Sequence, residues 1–159
     1  TSVDQALVTT GAADRAGIGP LVAGALAREL PETKVRLVQD PWNHTPVPAG
    51  VEIVTVMEGL AVELSESDLV VTAGGVTMIE AMVLGRPTIS IATAENQCRA
   101  VTGAALANAT IEADSSTVVH LALALARDRT RRVNLAAAAR AYVDGHGAER
   151  VAQEIDALL

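Results

Sequence analysis

The stretch SDLVVTAGGVTMIEAMVLGRPTISIATAENQ, residues 67–97, decides the fold of this chain. Leu69 to Thr72 is a short run rich in β-branched residues, which predicts a buried strand, and Gly74-Gly75 marks a tight turn after it. An apolar helix is predicted from Val76 to Leu84, and Gly85 ends it. A strand, a glycine turn and a helix in this order are typical of a parallel α/β sheet.

The rest of the chain continues this alternation of strands and helices. Strands alternating with helices predict a parallel sheet covered on both faces. We therefore expect an α/β fold, a Rossmann-like three-layer sandwich with a parallel sheet of about six strands, formed by residues 1–159 as one domain. The further predicted strands are Asp4–Thr10, Lys34–Gln39, Val51–Val56, Thr88–Ile91 and a short one near Thr110-Ile111, and the further predicted helices are Leu21–Leu30, Glu58–Glu66, Gln97–Ala107, one starting near Asp114-Ser115, Arg131–Tyr142 and Ala148–Leu159.

Composition excludes several classes of function. The chain has 159 residues and a net charge of −7. This charge argues against a general nucleic-acid binder, because such a protein needs a positive surface. No apolar run reaches the roughly 18 residues of a membrane-spanning helix, and no signal segment opens the chain, so we expect a cytoplasmic location. The histidines show no metal-ligand spacing, and we expect neither a metal nor a cofactor. Cys98 is the single cysteine, and we expect it to be a small buried side chain.

Polar and glycine residues follow three of the predicted strands, where parallel α/β sheets bind ligands. The helix after Gly74-Gly75 has unpaired N–H groups at its start, which favour an anion such as a diphosphate. We therefore expect one nucleotide-binding cleft at this edge. Its candidate residues are Gly11, Asp14, Gly74, Gly75, Thr77, Glu80, Glu95, Asn96 and Gln97.

Each candidate also has a purely structural interpretation. Gly74 and Gly75 could serve only the tight turn, although a missing Cβ also lets a phosphate approach the backbone. Thr77 could donate to a phosphate or cap the helix. Glu80 stands three residues after Thr77, which is the spacing of a helix capping box.

Two further candidate groups have equally plain alternatives. The triplet Glu95, Asn96 and Gln97 could be no more than a polar helix start. Gly11 and Asp14 could belong to a flexible loop with a solvated acid.

The central block resembles the C-terminal half of glycosyltransferase-B-fold proteins. It is most similar to the pseudaminic-acid-pathway UDP-sugar hydrolases and the related spore-coat polysaccharide proteins, and more distantly to the N-acetylglucosaminyltransferase of peptidoglycan synthesis. Weaker similarities lie in the loop 11–14 and in residues 144–150, before the last helix. The residues that carry the resemblance are Gly74, Gly75, Thr77, Glu80, Ala81, Leu84, Gly85, Pro87, Glu95, Asn96 and Gln97.

The resemblance implies roles for individual residues. The acid that matches Glu80 accepts hydrogen bonds from both ribose hydroxyls, and a carboxylate suits such a diol because it offers acceptors to two donors. The triplet from Glu95 to Gln97 would hold the donor sugar and phosphate. Met57 and Glu58 would lie in the loop that recognises the base.

The resemblance also implies a missing part. In the resembled proteins an N-terminal Rossmann-like domain supplies the catalytic base, and no residue here has a convincing base role. We therefore expect a fragment, or a partner of a separate catalytic chain, that turns over poorly alone. Val151, Ile155 and Leu158 form an apolar stripe on the last helix, widened by Ala152 and Leu159, which predicts contact with such a partner or a homodimer.

Three functions fit these observations. The first is the part of a hydrolase or glycosyltransferase that binds a UDP- or CMP-linked amino sugar, in surface-polysaccharide or nonulosonic-acid biosynthesis. The second is a non-catalytic Rossmann-like binding or assembly module. The third is half of a nucleotide-sugar 2-epimerase, which shares the fold.

Overall fold

The computed structural model describes residues 2–11, 14, 17–40, 42, 45–55 and 59–158. In this part of the chain a helix separates consecutive strands everywhere except between the second and the third strand, and three further helices follow the last of the six strands. The strands are β1 (Gln5–Thr9), β2 (Lys34–Val38), β3 (Val51–Val54), β4 (Leu69–Ala73), β5 (Thr88–Ile91) and β6 (Ile111–Ala113). The helices are α1 (Ile18–Glu29), α2 (Ala61–Glu66), α3 (Val76–Val83), α4 (Glu95–Leu106), α5 (Val118–Arg127), α6 (Arg129–Tyr142) and α7 (Gly147–Asp156).

The six strands form one sheet in the order β3-β2-β1-β4-β5-β6, and every pairing is parallel. All residues of β4 and β5 are buried, as expected for central strands that are covered on both faces. The edge strand β3 is only half-buried. The predicted fold class, a Rossmann-like sandwich around a parallel sheet of about six strands, is therefore confirmed.

Alternate residues of each strand pack into different layers. Val8, Val71 and Ile89 belong to the core cluster under α1 and α5. Leu7 and Val70 point to the opposite face, where α2 and α3 cover the sheet. This period of two fixes which side chains near the strand ends face which layer.

Local chemistry explains how α3 ends. Gly85 adopts φ 61°, its N–H donates to the carbonyl of Met82, and the N–H of Arg86 donates to the carbonyl of Ala81. This pair of hydrogen bonds is a Schellman motif, which needs a residue with positive φ. Arg140 of α6 lies over Gly85 and donates to the carbonyl of Leu84 at 3.2 Å, so α6 is held against this turn.

Several predicted boundaries move. Helix α1 begins at Ile18 rather than Leu21, because Asp14 caps it from four residues upstream. Helix α6 begins at Arg129, where Asp128 accepts a hydrogen bond from the N–H of Arg131. Strand β6 lies one residue further along the chain than predicted. Val56, Met57, Glu58 and Leu159, which bear on the predicted third strand, base loop and last helix, lie outside the described residues.

Candidate functional site

The candidate residues occupy the carboxyl edge of the sheet. The chain moves from β1 to β2 on one side and later returns to β4 on the other side of β1, so β1 and β4 are adjacent at a topological switch point. Ligands of open α/β sheets bind in the crevice at such a point. Gly11 and Asp14 lie in the loop after β1, and Gly74 and Gly75 lie in the turn after β4. Glu95, Asn96 and Gln97 form the first turn of α4, which follows β5.

The two glycines after β4 have different environments. Gly74 is buried, and a methyl group there would lie 2.2 Å from Cγ2 of Val101 and 3.2 Å from Cβ of Gln97. Gly74 therefore lets α4 pack directly on the turn. At Gly75 the nearest atom to a methyl group is Nε2 of Gln97, at 3.9 Å. Packing requires the first glycine, whereas the second borders open space.

The N-terminus of α3 is open. Gly75 is its N-cap residue, and no side chain caps it. Among the described residues nothing accepts from the N–H groups of Val76 and Thr77. Four N–H groups at a helix start lack intrahelical partners and carry partial positive charge, so this terminus favours an anion.

The capping-box interpretation of Glu80 is wrong. Because Gly75 is the N-cap, Glu80 lies in the second turn, and its side chain is exposed with no hydrogen bond to the described part of the chain. Glu80 is four residues after Val76, which is 74% exposed, so both share one face of α3. A free carboxylate therefore stands one turn from the open helix N-terminus.

Gln97 is oriented by a neighbouring threonine. The N–H and Oγ1 of Thr93 donate to Oε1 of Gln97, at 2.9 and 3.1 Å. Because Oε1 is thereby occupied, Nε2 is the atom that faces the glycine turn. Gln97 is thus a positioned donor beside Gly75, and its partner Thr93 was not singled out in the sequence.

The rest of the α4 start is exposed. Glu95, Asn96 and Cys98 lie on the outer surface, whereas α4 packs through Val101 and Ala104. The expectation of a buried Cys98 is wrong, because this residue lies away from the face that contacts the sheet. None of the triplet from Glu95 to Gln97 caps α4 with its side chain.

Asp14 is not a loosely solvated acid. Its Oδ1 accepts from the N–H of Ile18 at 3.0 Å and its Oδ2 from the N–H of Gly19 at 2.6 Å. The N-terminus of α1 is therefore occupied by the chain's own carboxylate. Gly11 is exposed at φ 92°, where a side chain would meet no atom within 4 Å, so backbone conformation rather than space favours glycine there.

A crevice of about 550 Å³ opens between the N-termini of α1 and α5. Asp114 forms its α5 side and accepts hydrogen bonds from the side chains and N–H groups of Ser116 and Thr117, which lower its pKa to about 2. This carboxylate is ionised at neutral pH. The crevice is lined by Thr10, Asp14, Ile18, Ile91, Ala92, Thr93, Glu112, Ala113, Asp114 and Ser115.

The described part of the chain has neither a metal-binding cluster nor a membrane-spanning helix. No group of three or more His, Cys, Asp or Glu side chains there could hold a metal ion. None of its helices combines the length and apolar character that crossing a bilayer requires.

Comparison with solved structures identifies the architecture. The kitacinnamycin glycotransferase is 22% identical with a TM-score of 0.73, and the match covers 98% of this chain and 43% of that one. MurG of Acinetobacter baumannii is 20% identical with a TM-score of 0.73, covering 96% of this chain and 49% of that one. The spinosyn rhamnosyltransferase SpnG, solved with thymidine diphosphate, is 25% identical with a TM-score of 0.69. The match covers 91% of this chain and 41% of that one.

A UDP-N-acetylglucosamine 2-epimerase from Listeria monocytogenes also shares the fold, at 18% identity and a TM-score of 0.66. No protein-family model matches the sequence, and neither does any curated protein. The chain spans less than half the length of each of these solved structures. It has the fold of the C-terminal half of a glycosyltransferase-B protein.

Proposed function

We propose that residues 1–159 are one nucleotide-sugar-binding domain of a glycosyltransferase or a related nucleotide-sugar hydrolase. The observation that carries this proposal is the uncapped N-terminus of α3 at the switch point of the sheet. Its free N–H groups, the open space at Gly75 and the amide of Gln97 lie together. This arrangement suits a diphosphate, which needs several donors and a positive partial charge.

The ribose and the sugar then extend from the diphosphate in two directions. Glu80 lies one turn along the exposed face of α3 and has no partner in the described chain, so its carboxylate can accept from both ribose hydroxyls. Thr77, Glu95 and Asn96 complete the polar rim as phosphate or sugar contacts. Asp14, which caps α1, contributes to this rim only as an acceptor for sugar hydroxyls.

The chemical role of this domain is to hold the leaving group. When the bond between sugar and diphosphate breaks, negative charge develops on the diphosphate, and preorganised N–H donors stabilise it. The base that activates water or an acceptor hydroxyl would come from an N-terminal Rossmann-like domain or a separate chain. A pathway of surface-polysaccharide or nonulosonic-acid synthesis and a cytoplasmic location belong to this proposal.

The exposed face of α7 supports the need for a partner. Val151, Ile155 and Leu158 are 60, 54 and 86% exposed, and no residue of this helix is buried. The predicted apolar stripe therefore lies on the surface. We propose that the catalytic domain or chain, or a second copy of this chain, covers it.

Nucleotide titration tests the function. We expect UDP, dTDP or CDP to raise the unfolding temperature, with a stabilisation of about 2.7 kcal/mol at a concentration about 100 times the dissociation constant. Uridine, which lacks the diphosphate, should bind far more weakly. If no nucleoside diphosphate shifts the transition at millimolar concentration, the site is wrong.

The products of turnover distinguish the candidate reactions. The domain alone should bind without multiple turnover, and robust release of UDP by it would contradict the proposed division of labour. The fold shared with the Listeria epimerase supports half of a 2-epimerase as the second candidate. Adding the partner domain would then yield an epimerised sugar rather than transfer. Binding without activity in either assay would favour a non-catalytic module.

A further inference from the structure

Another pocket lies at the amino edge of the sheet, opposite the edge that holds the proposed nucleotide site. Its walls include Asp68, directly before β4, and Pro87, directly before β5. Its volume is about 200 Å³. Pockets for drug-sized ligands measure about 300–1,000 Å³, so this one suits a small chemical group.

The pocket is positively charged, although the chain has a net charge of −7. Among the described residues that line it are three guanidinium groups, those of Arg86, Arg129 and Arg132, and one carboxylate, that of Asp68. This carboxylate already accepts from two backbone N–H groups at the start of β1, at 2.9 and 3.0 Å. The local field therefore favours an anion.

Arg86 offers one unused edge of its guanidinium group. Its Nη1 donates to the carbonyl of Ser67 at 3.2 Å. Its Nε is buried, and in the described part of the chain neither Nε nor Nη2 has an acceptor. A buried donor without a partner costs free energy. The N–H groups of Nε and Nη2 on this edge point the same way, so together they match two oxygens of one oxyanion.

A neighbouring arginine is held in place without a ligand. Arg132 is 6% exposed, and its Nη1 donates to the carbonyls of Leu125 and Ala126 at the end of α5. Val133, which also lines the pocket, is 54% exposed, so the pocket opens to solvent on this side. Binding of an anion would therefore require little further ordering of Arg132.

We propose that this pocket is an anion site that binds one phosphate group of a small molecule. A phosphate can give two oxygens to the free edge of Arg86 and still present oxygens to the other guanidinium groups, which a carboxylate cannot do. The pocket shares no residue with the proposed nucleotide site, so this proposal does not depend on the proposed function.

An NMR titration with inorganic phosphate tests the proposal at Arg86 itself. The Nε–H signal of Arg86 is the one that disappears in Arg86→Lys. We expect phosphate to shift this signal saturably, chloride at the same ionic strength to leave it unchanged, and acetate to bind more weakly than phosphate. A shift that does not saturate, or an equal response to chloride, would overturn the anion site, and equal affinity for acetate would overturn its assignment to phosphate.

A variant at the rim tests the same site without changing Arg86. Val133→Glu places a carboxylate at the pocket, and it should fold normally because this position is exposed. Followed by the Arg86 signal, phosphate affinity should fall about tenfold in this variant, because the carboxylate competes for the guanidinium groups. Val133→Gln is the matched control and should bind phosphate as the unmodified protein does.

The affinity for UDP separates this site from the nucleotide site. Val133→Glu should leave UDP binding unchanged in calorimetry, because the pocket lies at the opposite edge of the sheet. Equal phosphate affinity in the two Val133 variants would contradict the proposal. A failure of UDP to bind would overturn the proposed function but would not change the expected response of the Arg86 signal to phosphate.

Discussion

Helices α1 and α3 follow adjacent strands and begin at the same edge of the sheet, yet their N-termini differ. At α1 the carboxylate of Asp14 accepts from two N–H groups, at 3.0 and 2.6 Å. At α3 the N-cap is Gly75 and no side chain takes that place. A glycine-containing loop before an apolar helix therefore does not identify an anion site unless the N–H groups are free.

This difference bears on the proposed ligand. The open start of α3 would attract the diphosphate, whereas the carboxylate at α1 would repel it. A nucleotide sugar would therefore lie with its phosphates towards α3. Each prediction below changes one side of this comparison.

The largest expected effect is on packing at the α3 turn. Gly74→Ala places a methyl group 2.2 Å from the fully buried Val101, so we expect a loss of about 3 kcal/mol in the free energy of unfolding. Gly75→Ala is the matched control and should cost less than about 0.5 kcal/mol, because its methyl group meets only Gln97 at 3.9 Å. Urea unfolding measures both, and equal losses would contradict the different roles of the glycines.

Glu80→Gln tests the proposed ribose contact beside the uncapped N-terminus of α3. If the carboxylate holds the diol, nucleotide affinity should fall by about 1.5–3 kcal/mol, while the melting temperature without ligand stays nearly constant because the side chain is exposed. Calorimetry with UDP measures this loss, and 2′,3′-dideoxy-UDP provides the control. Because this analogue lacks both ribose hydroxyls, its affinity should be the same for the Glu80→Gln variant and for the unmodified protein. Unchanged UDP affinity would remove Glu80 from the site.

Asp14→Ala removes the carboxylate that accepts from the N–H groups at the start of α1. We expect the free energy of unfolding to fall by about 1 kcal/mol, as for other N-cap losses, and Asp14→Asn to restore most of it. Affinity for UDP should not fall, because the diphosphate lies at α3. A large loss of UDP affinity in both variants would mean that Asp14 contacts the nucleotide directly.

The smallest expected effect concerns a carboxylate outside the N-termini of α1 and α3. Asp144 pairs with Arg150 of α7, which lowers its pKa to about 2 from 3.8. A depressed pKa stabilises the fold above the ordinary value, and this contribution disappears as the pH falls through about 4 to 2. Hydrogen exchange should show α7 fraying in that range, and Asp144→Asn should fray it already at pH 7 without changing UDP affinity. Equal protection of α7 in both proteins at pH 7 would contradict this.

The fold could be predicted because its signals are local. The apolar run of β4, the glycine turn and the Gly85-Arg86-Pro87 helix end are neighbours in sequence, and each appears where predicted. Helical spacing also predicts the apolar stripe on the last helix, and its residues Val151, Ile155 and Leu158 are exposed.

The details of the site depend on contacts between loops. Asp14 lies outside the usual N-cap position, so its spacing to Ile18 gave no familiar signal. The orientation of Gln97 depends on Thr93, and the exposure of Cys98 depends on which face of α4 meets the sheet. The crevice between α1 and α5 forms only where the ends of β1, β5 and β6 meet.

The open N-terminus of α3 is the central claim, and Gly75→Asp tests it most directly. An aspartate at this N-cap would occupy the N–H groups of α3 with a carboxylate, as Asp14 does at α1. We predict equal or higher thermal stability and a loss of UDP affinity of tenfold or more by calorimetry, with a smaller loss in Gly75→Asn. Unchanged UDP affinity in a folded Gly75→Asp protein would contradict the claim that α3 holds the diphosphate.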